Sequence, residues 1–155
     1  MKFKQIVYFI FILLVVAFIC NFIFGSGSSA QNSTYNDKYM NFSYPHDWKI
    51  FNEGNNTPGL VMLNATGANK VFVTSKEHMG NGKNTMVEQE LITEDNGGKY
   101  CGNHTIEGTN VSYDLYHNGG TFFYFIPKGS KFFMISDCGT GASKDGIELI
   151  LKTIQ

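Results

Sequence analysis

With 155 residues, 43% of them hydrophobic and 16% charged, the chain has room for one globular domain of roughly 115 residues beside a short apolar segment, and a domain of that size needs no metal or disulfide staple. All 12 basic residues are lysine, set against 13 acidic ones. Without arginine the chain lacks the side chain suited to bidentate phosphate and guanine contacts, and no basic stripe replaces it, so nucleic acid is excluded as an expected partner.

The run from Ile6 to Phe24, IVYFIFILLVVAFICNFIF, carries no charge and as a helix spans roughly 28 Å, close to the ~30 Å of a bilayer core. Lys2 and Lys4 precede it and no lysine follows before Lys38. Residues 1–24 are therefore expected to form a transmembrane anchor, with the membrane as partner, the N-terminus cytoplasmic and the rest of a single-pass protein outside. A cleaved signal peptide is the other reading, since Ser28 and Ala30 stand at small-residue spacing before Gln31. Cys20 follows bulky Phe18 and Ile19, which suits a thiol within the run and not a lipid attachment point. The pattern Asn-x-Ser/Thr recurs at Asn32, Asn41, Asn55, Asn64, Asn103 and Asn110, where roughly two such sites are expected by chance. The excess suits an exported, glycosylated surface protein; the alternative is that Asn, Ser and Thr simply gather in turns. Residues 25–38, GSGSSAQNSTYNDK, read as a flexible linker, and residues 39–155 as the folded domain.

Phe42 and Tyr44 alternate with Asn41 and Ser43 in a strand that Pro45 ends. PGLVMLNA and NKVFVTSKE follow as two more strands around the turn TGAN. Thr85 with Glu88 three residues on is a capping box, opening a short helix that runs out in Gly97-Gly98. Glycine turns at Gly108, Gly119 and Gly129 then cut Tyr100–Cys138 into four strands, the pattern of an antiparallel meander. TFFYFIP and KFFMISDC are apolar on both faces, so each face needs a cover. The last segment supplies one, with Ser143 as cap and Ile147, Ile150, Leu151 and Ile154 at helical spacing. The Thr85 helix is expected to supply the other. The expected class is α+β, a mainly antiparallel sheet sandwiched between helices.

YMNFSYPHDWKI, TIEGTNVSYDLY, GTFFYFIPKGSKFFMIS and GIELILKTI, taken in that order over most of residues 39–155, resemble the PsbP-like superfamily, named for the extrinsic subunit P of photosystem II. The resemblance implies an α-β-α sandwich used as a non-catalytic accessory or binding module. Its members include a photosystem subunit, a nuclear transport factor and membrane-anchored surface proteins of prokaryotes, so it names no partner for this chain beyond an unknown protein or surface ligand. It implies no cofactor. Trp48 is a packing residue under this reading; an exposed ring that stacks on ligand is the alternative.

Chemistry-bearing residues are few. Cys101 and Cys138 are disulfide candidates, although a regular meander separates them by three inter-strand spacings, roughly 14 Å, where a bridge needs Cα atoms within ~7 Å. Buried free thiols are the second reading. A metal centre of Cys101, His104, Asp137 and Cys138 is the third, the donors suiting zinc or copper, and it furnishes the alternative function of an external metal-binding protein. His46, His78 and His117 read as surface imidazoles. No nucleophile elbow, zinc-protease helix or phosphate loop occurs, and GTGASKDG reads as a lead into the last helix. Specificity is expected on the loops EGNNTPG and HMGNGKN.

Overall fold

The computed structural model describes residues 31–51, 58–65, 69–76, 85–129, 131–139, 142 and 144–155. The chain divides at Gln31, and the fold is that of Asn32–Gln155, which begins ahead of the start expected at Tyr39. Strands β1 (Asn32–Asn36) and β2 (Asn41–Pro45) form a hairpin of their own. Part of the stretch read as linker is thus a strand. The cause is local: Tyr35 stacks on Phe42 at 5.4 Å, and the Asp37 carboxylate accepts from the backbone N–H groups of Tyr39 and Met40, both at 2.8 Å, closing the turn.

The remaining strands are β3 (Lys49–Ile50), β4 (Leu60–Asn64), β5 (Lys70–Lys76), β6 (Lys99–Thr105), β7 (Ser112–Asn118), β8 (Thr121–Lys128) and β9 (Lys131–Cys138). They build one antiparallel sheet in the order β3-β4-β5-β9-β8-β7-β6. The four-strand meander is present, its hairpins turning on Gly108, Gly119 and Gly129 at φ of 74°, 55° and 62°. Between β7 and β8 both loop residues, Gly119 and Gly120, have positive φ, the two-residue turn whose twist matches that of the flanking strands. β6 carries a bulge, its register shifting between Tyr100 and Gly102 so that Cys101 is the extra residue.

Helix α2 (Lys144–Thr153) lies on one face of this sheet. Its Ile147, Ile150 and Leu151, with Ile154 just beyond, share a core with Val61, Leu63, Val71, Val73, Phe133 and Ile135. Met40, Phe42 and Trp48 complete that core, and Trp48, 3% exposed, packs where the sequence placed it. The hairpin is fastened along the helix: the Ser43 N–H donates to Thr153 Oγ1, and Asn41 and Gln155 exchange backbone hydrogen bonds.

Among the described residues no second helical layer packs closely on the sheet, which corrects the expected α-β-α sandwich. Strand accounts for 51% and helix for 19%, so the fold is dominated by its sheet. Helix α1 (Met86–Asp95) has the expected capping box but no buried residue. The reason is its orientation. Only Met86 packs against the small cluster of Tyr116, Phe125 and Phe132, while Val87 and Leu91 are 61% and 53% exposed. Met86, Glu90 and Glu94, spaced at i, i+4 and i+8, form one stripe, and Glu90 and Glu94 act electrostatically on Tyr116 of the sheet. The helix turns an acidic stripe inward and an apolar one outward.

No helix among the described residues is long and apolar enough to cross a membrane. This corrects the expectation of a transmembrane signal anchor, of the membrane as partner and of a single-pass location with an external domain. The apolar run Ile6 to Phe24 on which those expectations rested lies outside the described residues.

The unequal anchoring of the two helices is measurable by urea denaturation. Ile150→Ala, at a fully buried position, is expected to cost about 2–5 kcal/mol, and Leu91→Ala less than about 0.5 kcal/mol. Comparable losses at the two positions would show that the outer face of α1 is packed after all.

Candidate functional site

Strand register places the side chains of one sheet face in rows. His104 stands opposite Tyr113, Leu115 opposite Tyr124, and Phe122 opposite Asp137. The rings of His104 and Tyr113 stack at 5.5 Å, and Tyr113 meets Tyr124 at 5.5 Å with a tilt of 54°. This is the face that α2 covers, but the stripe of α2 is spent on the central strands. Its opposite flank, Lys144, Glu148 and Lys152, overhangs the aromatic row instead. Between flank and row lies a groove with two lobes. The inner lobe, about 280 Å³, has a largely apolar floor of Leu115, Phe122 and Tyr124 and reaches Asp137. The outer lobe, about 440 Å³, runs past His104 and Thr105. Tyr113, Lys144 and Glu148 line both lobes.

The charges at the rim are paired with each other. Glu148 receives Lys152 at 3.2 Å and Lys144 at 4.0 Å, all three at helical i,i+4 spacing. These exposed pairs contribute little to stability. Asp137 differs. It is 2% exposed, and its two carboxylate oxygens both accept from the Ala142 N–H at 3.1 Å. Burial outweighs that hydrogen bond and pushes the Asp137 carboxyl above its ordinary value. Burial, then the charge of Asp137, also drives the Tyr124 phenol up to about 12.

The cysteine and histidine set is not brought together. Cys101 and Cys138 are free thiols, on strands separated by β7 and β8, so no disulfide joins them. Asp137 and Cys138 are consecutive in β9 and point to opposite faces. His104 Nε2 lies 3.3 Å from the Cys101 carbonyl oxygen, turned onto its own strand. Among the described residues no group of three His, Cys, Asp or Glu side chains is placed to hold a metal ion. The proposed four-donor centre has no geometry to support it.

The sequon residues Asn32, Asn41, Asn64, Asn103 and Asn110 are all exposed, although Asn103 Nδ2 is engaged by Asp114 at 2.9 Å; Asn55 lies outside the described residues. So do His78, residues 53–57 of the first proposed specificity loop and all of the second. His46 is an exposed imidazole 3.2 Å from Ser33 Oγ, whereas His117 is half-buried against Phe122 at 4.6 Å.

A pair of carboxyl groups on the opposite face escaped the sequence reading. Asp114 of β7 accepts from the Tyr100 hydroxyl at 3.0 Å and from Asn103. Glu90 of α1 comes to it across the fold, with Oε1 buried and without a hydrogen-bond partner. Burial first, then the neighbouring Asp114 carboxylate and the charge of Glu94, push the Glu90 carboxyl up to about 7. The two residues stand 24 positions apart in sequence with no spacing rule between them; the one legible hint was the acidic stripe of α1.

No protein-family model matches this sequence, and no characterised protein matches it significantly.

Two measurements follow from these side chains. A raised folded-state pKa means that the folded chain holds the proton more tightly, so Glu90 contributes stability that is complete below about 4.5, its ordinary value, and lost as pH rises through about 7. Glu90→Gln is expected to flatten the fall in stability between those limits, followed by chemical denaturation at stepped pH; an unchanged slope would remove Glu90 as its source. Thiol labelling of the folded chain, mapped by peptide mass, is expected to modify Cys101 well before Cys138, because Cys101 is exposed and burial raises the Cys138 thiol above its ordinary value.

Proposed function

We propose that Asn32–Gln155 is a non-catalytic binding module and that its ligand site is the groove between α2 and strands β6 to β8. The observation that carries this reading is the inner lobe, an apolar, aromatic-floored concavity in which one buried carboxylate stands at the end. A concave site lined mainly by apolar and aromatic side chains with a few placed polar groups is the usual form of a small-ligand pocket. Tyrosine and phenylalanine rings give broad contact area, and their faces accept either apolar or cationic groups.

The chemistry available in the groove favours binding over turnover. Its imidazole, His104, is directed at a backbone carbonyl, and Lys144, Glu148 and Lys152 are engaged with each other. The resemblance to the PsbP-like superfamily supports an accessory role in the same direction, while the missing second helical layer sets this fold apart from that superfamily's sandwich.

Fragment screening of the full chain by protein-detected NMR tests the assignment. Hits are expected to perturb Tyr113, Phe122, Tyr124 and Ile147, and Tyr113→Ala is expected to weaken them about tenfold, the worth of one aromatic contact. Hits confined to other surfaces, or turnover of a substrate by the purified chain, would overturn the reading.

A further inference from the structure

The inner lobe contains a chemical imbalance. An ionised carboxylate offers about four acceptor positions, and among the described residues Asp137 receives one amide N–H, shared between its two oxygens. Burying such a group without an opposite charge is costly. Among the described residues no cation is paired with it. Lys144, the cation that shares the inner lobe, is 89% exposed at the rim and directed to Glu148. What does face the lobe beside Asp137 is the set of rings Tyr113, Phe122 and Tyr124, whose π-faces attract positive charge.

Resting on the assignment of this groove as the ligand site, we infer that the inner lobe takes a small primary amine, its ammonium group on Asp137 and its apolar body on Tyr113, Phe122 and Tyr124. A primary ammonium fits better than a quaternary one. It carries three N–H donors, which fill the acceptor positions that the Ala142 amide leaves open, and it makes charge-assisted hydrogen bonds in a sheltered site, where they are strongest. The dimensions restrict the rest of the molecule: about 280 Å³ is at the low end of ligand pockets, enough for a single ring on a short chain. Discrimination by charge rests on Asp137 alone, since Glu148 at the rim is already paired with Lys144 and Lys152; at the inner end a carboxylate disfavours an anion and favours a cation.

The experiment compares 2-phenylethylamine with 2-phenylethanol, which keeps the ring and chain and removes the charge. Both are titrated into the full chain at pH 7 with the Tyr113 and Tyr124 ring resonances as readout. The amine is expected to bind at least about tenfold more tightly than the alcohol, and Asp137→Asn, which retains an acceptor for the Ala142 amide, is expected to abolish the difference. Equal binding of the two compounds in the unmodified chain would overturn the amine assignment and leave the groove as a neutral ligand site. Absence of binding by both at these rings would overturn the groove assignment as well. The comparison in the unmodified chain decides the matter even where Asp137→Asn fails to fold.

Discussion

A ten-residue helix is about 15 Å long and 10–12 Å across, whereas seven strands span about 29 Å at ~4.8 Å apiece. That mismatch governs the architecture. α2 can seal only part of one face, and its Ile147, Ile150 and Leu151, with Ile154 just beyond, are committed to the middle strands, where Val61, Leu63, Val71, Val73, Phe133 and Ile135 meet them. The β1–β2 hairpin lies along the helix, bound to its last turn through Ser43 and Thr153, and adds Met40 and Phe42 to the same core. No described element covers the β6 to β8 side of that face. The groove is the uncovered remainder of the sheet, and its aromatic floor is what a half-covered apolar face becomes when its outer row is built from tyrosine, histidine and phenylalanine, side chains that tolerate partial contact with water.

The opposite face is organised on a different principle. α1 is attached by one methionine, by the Asn118 side chain on the Asn96 carbonyl at 2.9 Å, and by a carboxyl contact whose strength depends on proton occupancy. Apolar packing is indifferent to pH over the range in question, whereas a half-buried carboxyl held above its ordinary value is not. α2 is held by hydrophobic burial, and α1 by contacts of which one responds to acidity. With Val87 and Leu91 facing solvent, the apolar surface of α1 contributes little to holding it in place.

Much of the fold was legible in the sequence because it is set by local rules. Glycine turns, the Thr85–Glu88 capping box, the alternation in β2 and the Ile147–Ile154 spacing all act within a few residues, and each reappears in the structure. What escaped depends on contacts between distant segments. Whether α1 covers the sheet is decided by which of its stripes turns inward, and composition alone suggested the apolar one. Residues 32–36 look like linker by composition, yet Tyr35 finds Phe42. The site divides the same way. Cys101 and Cys138 were read as disulfide candidates in spite of their separation across the meander, and they are free thiols; Asp137 was valued as a metal donor beside Cys138, when strand alternation turns it to the other face, into the groove. Neither the groove nor the Glu90–Asp114 contact has a sequence signature, since both are made by strands and helices meeting at long range.

The bulge at Cys101 has a consequence for the molecule in concentrated solution. A sheet grows by adding strands to whichever margin still offers a regular row of unpaired N–H and C=O groups, and such margins are where polymerisation and amyloid begin. Here one margin is β3, only two residues long, and the other is β6, whose regular repeat is broken at its third residue by the extra Cys101. Among the described residues neither presents a long, flat template, so both margins of the seven-stranded ladder are poor starting points for adding a further strand.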